Sequence, residues 1–199
     1  PTYVAAHDGN LDIIRYLAGE AHADVNQART DDGVTPLYIA AHNDNLDVVR
    51  YLAGEAHADV NQARTDTGGT PLYIAAQNGN LDMVRYLAGE AHANVNQATT
   101  DDGCTPLYIA AQKDNLDVVR YLAGEAHADV NQARISDGCT PLYVTAQKDN
   151  LDVVRYLVGE AHANVDQATT DYGTTSLFIA AENGNLDMVR YLVGEAHAD

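Results

Sequence analysis

The chain has 199 residues, 29 acidic against 11 basic, and its net charge of −18 is spread along its whole length rather than gathered in a tail. So acidic a surface repels phosphate backbones and anionic bilayers, which sets aside nucleic acid and membrane as partners and favours a basic protein if charge is used at all. No apolar run reaches the roughly 18 residues of a membrane span, and the sequence shows neither a secretory pattern nor a glycosylation acceptor, so an intracellular, cytoplasmic setting is expected.

The tripeptide Thr-Pro-Leu begins at Thr35, Thr70, Thr105 and Thr140, and Thr-Ser-Leu at Thr175, each 35 residues after the last. Asn-Leu-Asp and Gly-Glu-Ala-His return in the same register from Asn10 and Gly19 onward. A strict period of this length marks a stacked repeat array rather than a domain with one central core. In the unit from Thr35 to Gly69, Thr35 is a good N-cap and Pro36 suits the first helical position, where its missing N–H costs nothing. Leu37 to Ala41 continue a short helix, with alanines that allow a neighbour to approach. It should stop near Asp44, whose counterparts Gly9, Gly79 and Gly184 suit a left-handed C-terminal residue. Asn45 is then expected to cap a second helix, with Asp47 in its first turn and an apolar stripe of Leu46, Val48, Val49, Tyr51 and Leu52. Gly54 should end or weaken that helix, and His57 to Gly69 read as an extended loop or hairpin. Neither helix can bury its apolar side alone, so neighbouring units must stack.

Cys104 and Cys139 occupy one repeat position in adjacent units. Units stacked about 10 Å apart hold them beyond the roughly 7 Å between Cα atoms that a disulfide spans. Both are expected as free thiols, open to reagent in native protein and suited to a reducing compartment.

Thr35-Pro36-Leu37 with Ala40-Ala41, then Asn45 to Val49, Ala58-Asp59-Val60-Asn61 and Gly68 resemble the ankyrin repeat, with Tyr38 in the place of the family's usual histidine. The likeness runs the length of the chain. It implies an all-α fold: an ankyrin-type solenoid of stacked helix-turn-helix repeats with projecting β-hairpin fingers. The array would be a single one over 1–199, with repeats 1–34 (truncated), 35–69, 70–104, 105–139, 140–174 and 175–199 (truncated). The usual unit has about 33 residues, so one extra residue is placed in Ala53 to His57 and one in Gln62 to Thr67. His57 and its counterparts stand where the family usually has a helix-ending glycine, and histidine is among the residues enriched at positive φ. Neither end shows the polar cap that arrays need, so the chain is expected to be a segment of a longer protein.

One histidine per unit, about 10 Å apart along a stack, cannot share an ion whose ligands lie about 2 Å from it. A local pair such as Glu55 with His57 leaves a weak ion as an option beside the plainer role of a helix-end residue. The finger aspartates Asp31, Asp32, Asp66, Asp101, Asp102, Asp137 and Asp171 lack the spacing of a dedicated calcium loop and suit ordinary turns. No nucleophile, base and orienting group converge, so no enzyme and no cofactor are expected. Variation among the copies concentrates in two strips, which in the ankyrin family line the concave face where partners dock. One strip follows the first helix and holds Gln112, Lys113, Gln147 and Lys148. The other is the finger row, with Asp101, Asp102, Arg134, Ile135 and Tyr172. Ile135 and Tyr172 are apolar residues at polar tips, and Lys113 and Lys148 with Arg134 break the acidic field. The expected function is a monomeric, non-enzymatic protein-interaction scaffold that binds a protein partner, a basic one if the charge is used. The alternatives are an elastic spacer between other domains and a weak calcium or metal scaffold.

Overall fold

The computed structural model describes residues 1–198. Twelve α-helices follow one another as pairs: α1 (Thr2–His7) with α2 (Leu11–Arg15), α3 (Pro36–His42) with α4 (Leu46–Arg50), α5 (Pro71–Asn78) with α6 (Leu81–Arg85), α7 (Pro106–Gln112) with α8 (Leu116–Arg120), α9 (Pro141–Gln147) with α10 (Leu151–Gly159), and α11 (Ser176–Glu182) with α12 (Leu186–Gly194). Each pair packs on the next, the first helices most closely. Ala40, Ala41, Ala75, Ala76, Ala110 and Ala111 are wholly buried along that contact and keep it short.

The first helices start as their sequence dictates. The hydroxyls of Thr35, Thr70, Thr105, Thr140 and Thr175 each accept from the N–H three residues on, at 3.0 to 3.3 Å, which satisfies a donor the helix leaves open. After each first helix the chain turns through positive φ, at Gly9, Asp44, Gly79, Asp114, Asp149 and Gly184.

The second helix departs from expectation at its start. Asn10 accepts from the N–H of Ile13 at 3.2 Å as a cap should, but Asn45 does not cap its own helix. Its side-chain amide donates instead to the carbonyls of Ala6 and His7 in the preceding unit, at 3.0 and 3.1 Å. Asn115 does the same to Ala76 and Gln77, at 2.9 and 3.1 Å. Both reach over a glycine: a Cβ on Gly9 or Gly79 would sit 2.7 or 2.8 Å from the asparagine oxygen. Exchanging a helix-end amide for open helix-end carbonyls turns a local cap into a tie between units.

The end of the second helix explains one extra residue of the period. Residues Tyr16–Glu20, Tyr51–Glu55, Tyr86–Glu90 and Tyr121–Glu125 form π-helical turns. The N–H of Ala56 reaches back five residues to Tyr51 at 2.9 Å, and that of Ala58 six residues to Leu52 at 2.8 Å. The usual closing bond around a left-handed residue spans about five, so the insertion is absorbed as a wider turn that starts at Tyr51, ahead of the expected Ala53. His22, His57, His92, His127, His162 and His197 all take positive φ, 53° to 57°, as their position predicts.

No strand occurs among the described residues, so the expected β-hairpins are replaced by tight turns. In finger two, the second of five, Arg64 N–H donates to the Gly69 carbonyl at 2.9 Å and Gly68 N–H to the Arg64 carbonyl at 3.0 Å. One such closure per finger is too short to make a ladder. Successive fingers are joined by single bonds, from Thr65 N–H to Asp32, Thr100 to Thr67, Ile135 to Asp102 and Thr170 to Asp137, at 2.9 to 3.0 Å. Below them, Asn26, Asn61, Asn96 and Asn131 each accept from a backbone N–H of the next unit, at 2.7 to 2.9 Å.

The core is a continuous column through Leu52, Leu87, Leu122, Leu157 and Leu192, all fully buried, while their first-unit counterpart Leu17 is partly exposed. At the two ends the same pattern meets no neighbour. Ile13 is 46% exposed where its counterpart Val48 is 1%, and Phe178 is 52% exposed where Tyr108 is 1%.

Candidate partner-binding face

First helices and fingers share one face, and an arginine clamp recurs on it. Arg29, Arg64 and Arg134 lie over the rings of Tyr3, Tyr38 and Tyr108, with 5.4, 5.5 and 5.6 Å from guanidinium carbon to ring centroid. Each is also paired with a carboxylate of its own finger, Asp31, Asp66 and Asp137 respectively. The guanidinium holds Asp66 and Asp137 at about 2, well below the usual carboxylate range. Arg134 is therefore spoken for: it lines the face but does not offer the free cation expected of it.

Fingers three and five solve the same local problem differently. Thr99 and Thr169 replace the arginine, and their hydroxyls accept from the N–H groups of Cys104 and Thr174 at 3.0 and 3.1 Å. In fingers one and four that N–H, on Val34 and Cys139, goes to Asp32 and Asp137 at 3.1 and 3.0 Å.

A cavity of about 190 Å³ opens between the fourth and fifth units and gathers Gln112, Gln147, Arg134 and Tyr172 from both variable strips. Its remaining walls are Tyr108, Tyr143, Asp137, Asp171, Cys139, Thr169 and Thr174. A second cavity of about 310 Å³ lies two units earlier and includes Asp101 with Tyr38, His42, Arg64, Thr67, Tyr73, Ile74, Gln77 and Thr99. Asp102, Ile135, Lys113 and Lys148 line neither. Asp102 supplies the carbonyl that ties finger three to Ile135. Ile135 is 80% exposed and Tyr172 86%, and the Ile135 side chain lies against Gly103, where a Cβ would be 2.5 Å away. Lys113 and Lys148 follow the last residues of α7 and α9, exposed at one edge of the face.

The tyrosines of the first helices are the residues that sequence comparison among the copies passes over. They vary little and so read as folding residues. Their constant 26-residue distance from the finger arginine or threonine was the available signal.

The opposite face repeats a purely structural arrangement. Tyr86, Tyr121 and Tyr156 each donate a hydroxyl to the carbonyl of the arginine one unit back, Arg50, Arg85 and Arg120, at 3.2, 3.4 and 3.1 Å. Those hydroxyls sit on Gly54, Gly89 and Gly124, where a Cβ would be 3.2, 2.7 and 2.8 Å away. Gly54 thus serves the next unit's tyrosine more than it ends its own helix.

Cys104 and Cys139 are free thiols, 6% and 9% exposed. Burial pushes them up to about 11 and about 12, so the expected reactivity in native protein is corrected: both are shielded and protonated at neutral pH. Among the described residues no three His, Cys, Asp or Glu side chains group so as to hold a metal ion, and no helix is long and apolar enough to cross a membrane.

No curated protein matches the chain. The family model described as ankyrin repeats (3 copies) matches residues 1–64, 57–134 and 125–199, the whole of its length. Ankyrin repeats are in general modules of protein–protein interaction and typically non-enzymatic. Capped paired helices, left-handed turns and stacked fingers agree with that match, and the chain belongs to the ankyrin-repeat family.

Proposed function

We propose that this array is a protein-interaction scaffold that docks a protein partner on the face shared by first helices and fingers, centred on the third to fifth units. The observation that carries this reading is the cavity that gathers Gln112, Gln147, Arg134 and Tyr172 from two separate strips. On the same face, Asp101, Asp102, Lys113, Lys148 and Ile135 are taken as further contacts outside that cavity, with Ile135 and Tyr172 as the apolar anchors. With a net charge of −18, a basic partner surface is attracted from a distance and the complex weakens as salt rises. The array acts as a monomer, without cofactor, and binds neither nucleic acid nor membrane.

The test is an alanine scan of both strips against a partner recovered by affinity capture. Ile135→Ala and Tyr172→Ala should leave the melting temperature nearly unchanged, since both side chains are exposed, and weaken binding by about 1–2 kcal/mol. A footprint confined to Asp47, Arg50, Glu55 and their repeat counterparts on the opposite face would refute the reading.

A further inference from the structure

Three fingers complete a stack that two others leave open. Arg29, Arg64 and Arg134 each lie over the tyrosine 26 residues earlier and pair with a carboxylate of their own finger. In fingers three and five Thr99 and Thr169 stand at the arginine position, while Tyr73 and Tyr143 remain 26 residues earlier and Asp101 and Asp171 two residues on. The side-chain hydrogen bonds of these two carboxylates come from the Asp102 N–H and the Thr170 hydroxyl, and neither carboxylate has an ion pair among the described residues. Two cavities of this face open at these places: Tyr73, Thr99 and Asp101 line one, Tyr143, Thr169 and Asp171 the other; a third, beside the completed Tyr3–Arg29 stack of finger one, is lined by no carboxylate. The arginines on the far walls of the first two, Arg64 and Arg134, are already neutralised by Asp66 and Asp137, so the unpaired carboxylate sets the sign of each site.

We propose that these two cavities are guanidinium sites for one extended, arginine-bearing segment of the partner, whose side chains complete at fingers three and five the stack the chain completes for itself at the others. This rests on the docking reading above and names the chemistry of its partner. The sites lie two units apart, about 20 Å at the usual spacing of packed helices. An extended segment rising about 3.3 Å per residue covers that in about six residues. Arginine fits better than lysine, because a planar guanidinium can lie on a tyrosine ring while its fork grips a carboxylate. The Tyr73 site is the more open: Tyr73 is partly exposed, whereas Tyr143 is 8% exposed with its hydroxyl 3.3 Å from Thr174.

The test titrates the full chain with a synthetic glycine–serine peptide carrying two arginines six residues apart, and with its dilysine twin, by fluorescence anisotropy. The arginine peptide should bind at least about fivefold more tightly. The double variant Thr99→Arg/Thr169→Arg fills both sites from within, as three sister fingers already do, and should weaken binding about tenfold; because it removes the hydroxyls that accept from the Cys104 and Thr174 N–H groups, its melting is measured first. If that variant melts early, Asp101→Asn/Asp171→Asn, confined to exposed carboxylates, replaces it with the same expected loss. Equal affinity for the two peptides, no binding of the arginine peptide, or undiminished binding by the stable variant would overturn the proposal. Such a failure with the partner's footprint still on this face removes the guanidinium sites and keeps the docking reading; a footprint on the opposite face removes both.

Discussion

Gly124 offers a sharp test of how neighbouring units fit. It is helical, and a methyl group there would meet one neighbour within 4 Å, the Tyr156 hydroxyl oxygen of the next unit at 2.8 Å, closer than real Cβ contacts come. That hydroxyl donates to the Arg120 carbonyl at 3.1 Å, and the Arg120 guanidinium lies over the same ring at 5.6 Å. In Gly124→Ala the ring must shift, which forfeits a hydrogen bond worth about 1 kcal/mol and part of a cation–π contact, about 0.5 kcal/mol. Against this, alanine gains about 1 kcal/mol over glycine in a helix, so the variant should lose about 0.5 kcal/mol net. In a Tyr156→Phe background there is no oxygen to meet, and the same change should stabilise by up to about 1 kcal/mol. The sign therefore reverses, with a coupling of about 1.5 kcal/mol in a double-mutant cycle. Urea denaturation of the four proteins, with unchanged slopes, measures it. Additivity within about 0.3 kcal/mol would refute the packing argument. Gly159→Ala is the control: the Tyr191 oxygen would be 3.7 Å away, an ordinary contact, so that variant should keep the helical gain.

Two further outcomes follow from the titrating groups. At neutral pH native protein should resist iodoacetamide at Cys104 and Cys139 and label readily once unfolded; rapid native labelling of both, read by mass spectrometry, would contradict their burial. Because the folded state holds these thiol protons more tightly than the unfolded chain, their contribution to stability is whole below the ordinary value of 9.0 and is lost as pH rises towards about 11 and about 12. The Arg134–Asp137 pair behaves in the opposite sense: its depressed carboxyl contributes above the ordinary value of 3.8, and that contribution is lost as pH falls through about 2. Carboxyl NMR should show Asp137 titrating near the ordinary range in Arg134→Ala, and an unchanged titration would remove the guanidinium as the cause.

Much of the fold is legible because its signals are local. Thr35 caps the N–H of Tyr38 three residues on, and Asp44 and His57 take the left-handed backbone their positions call for. The site is less legible. Arg134 reads, with Lys113 and Lys148, as a break in the acidic field; folding brings Asp137 to its guanidinium and Tyr108 under it. The thiols read as reactive because the spacing of the units keeps them from bonding to each other, yet packing of the units leaves them only 6% and 9% exposed.

Period, caps, turns and the acidic surface depend on a residue and those a few places along the chain, so they are written in the amino acids alone. Which residue of one unit meets which of the next is different. Asn10 and Asn45 share the same local motif, Asn-Leu-Asp, yet Asn10 caps its own helix and Asn45 ties two units. Gly54 and Gly194 share Gly-Glu-Ala-His, yet a tyrosine hydroxyl rests on the first, and nothing would come within 4 Å of a Cβ on the second. Stacking sets these choices: Asn45 has the carbonyls of Ala6 and His7 in the preceding unit and Gly54 has Tyr86 of the next, partners that Asn10 in the first unit and Gly194 in the last do not meet. The open Tyr73–Asp101 and Tyr143–Asp171 corners exist for the same reason: they are made by two elements of a unit and walled by the unit before.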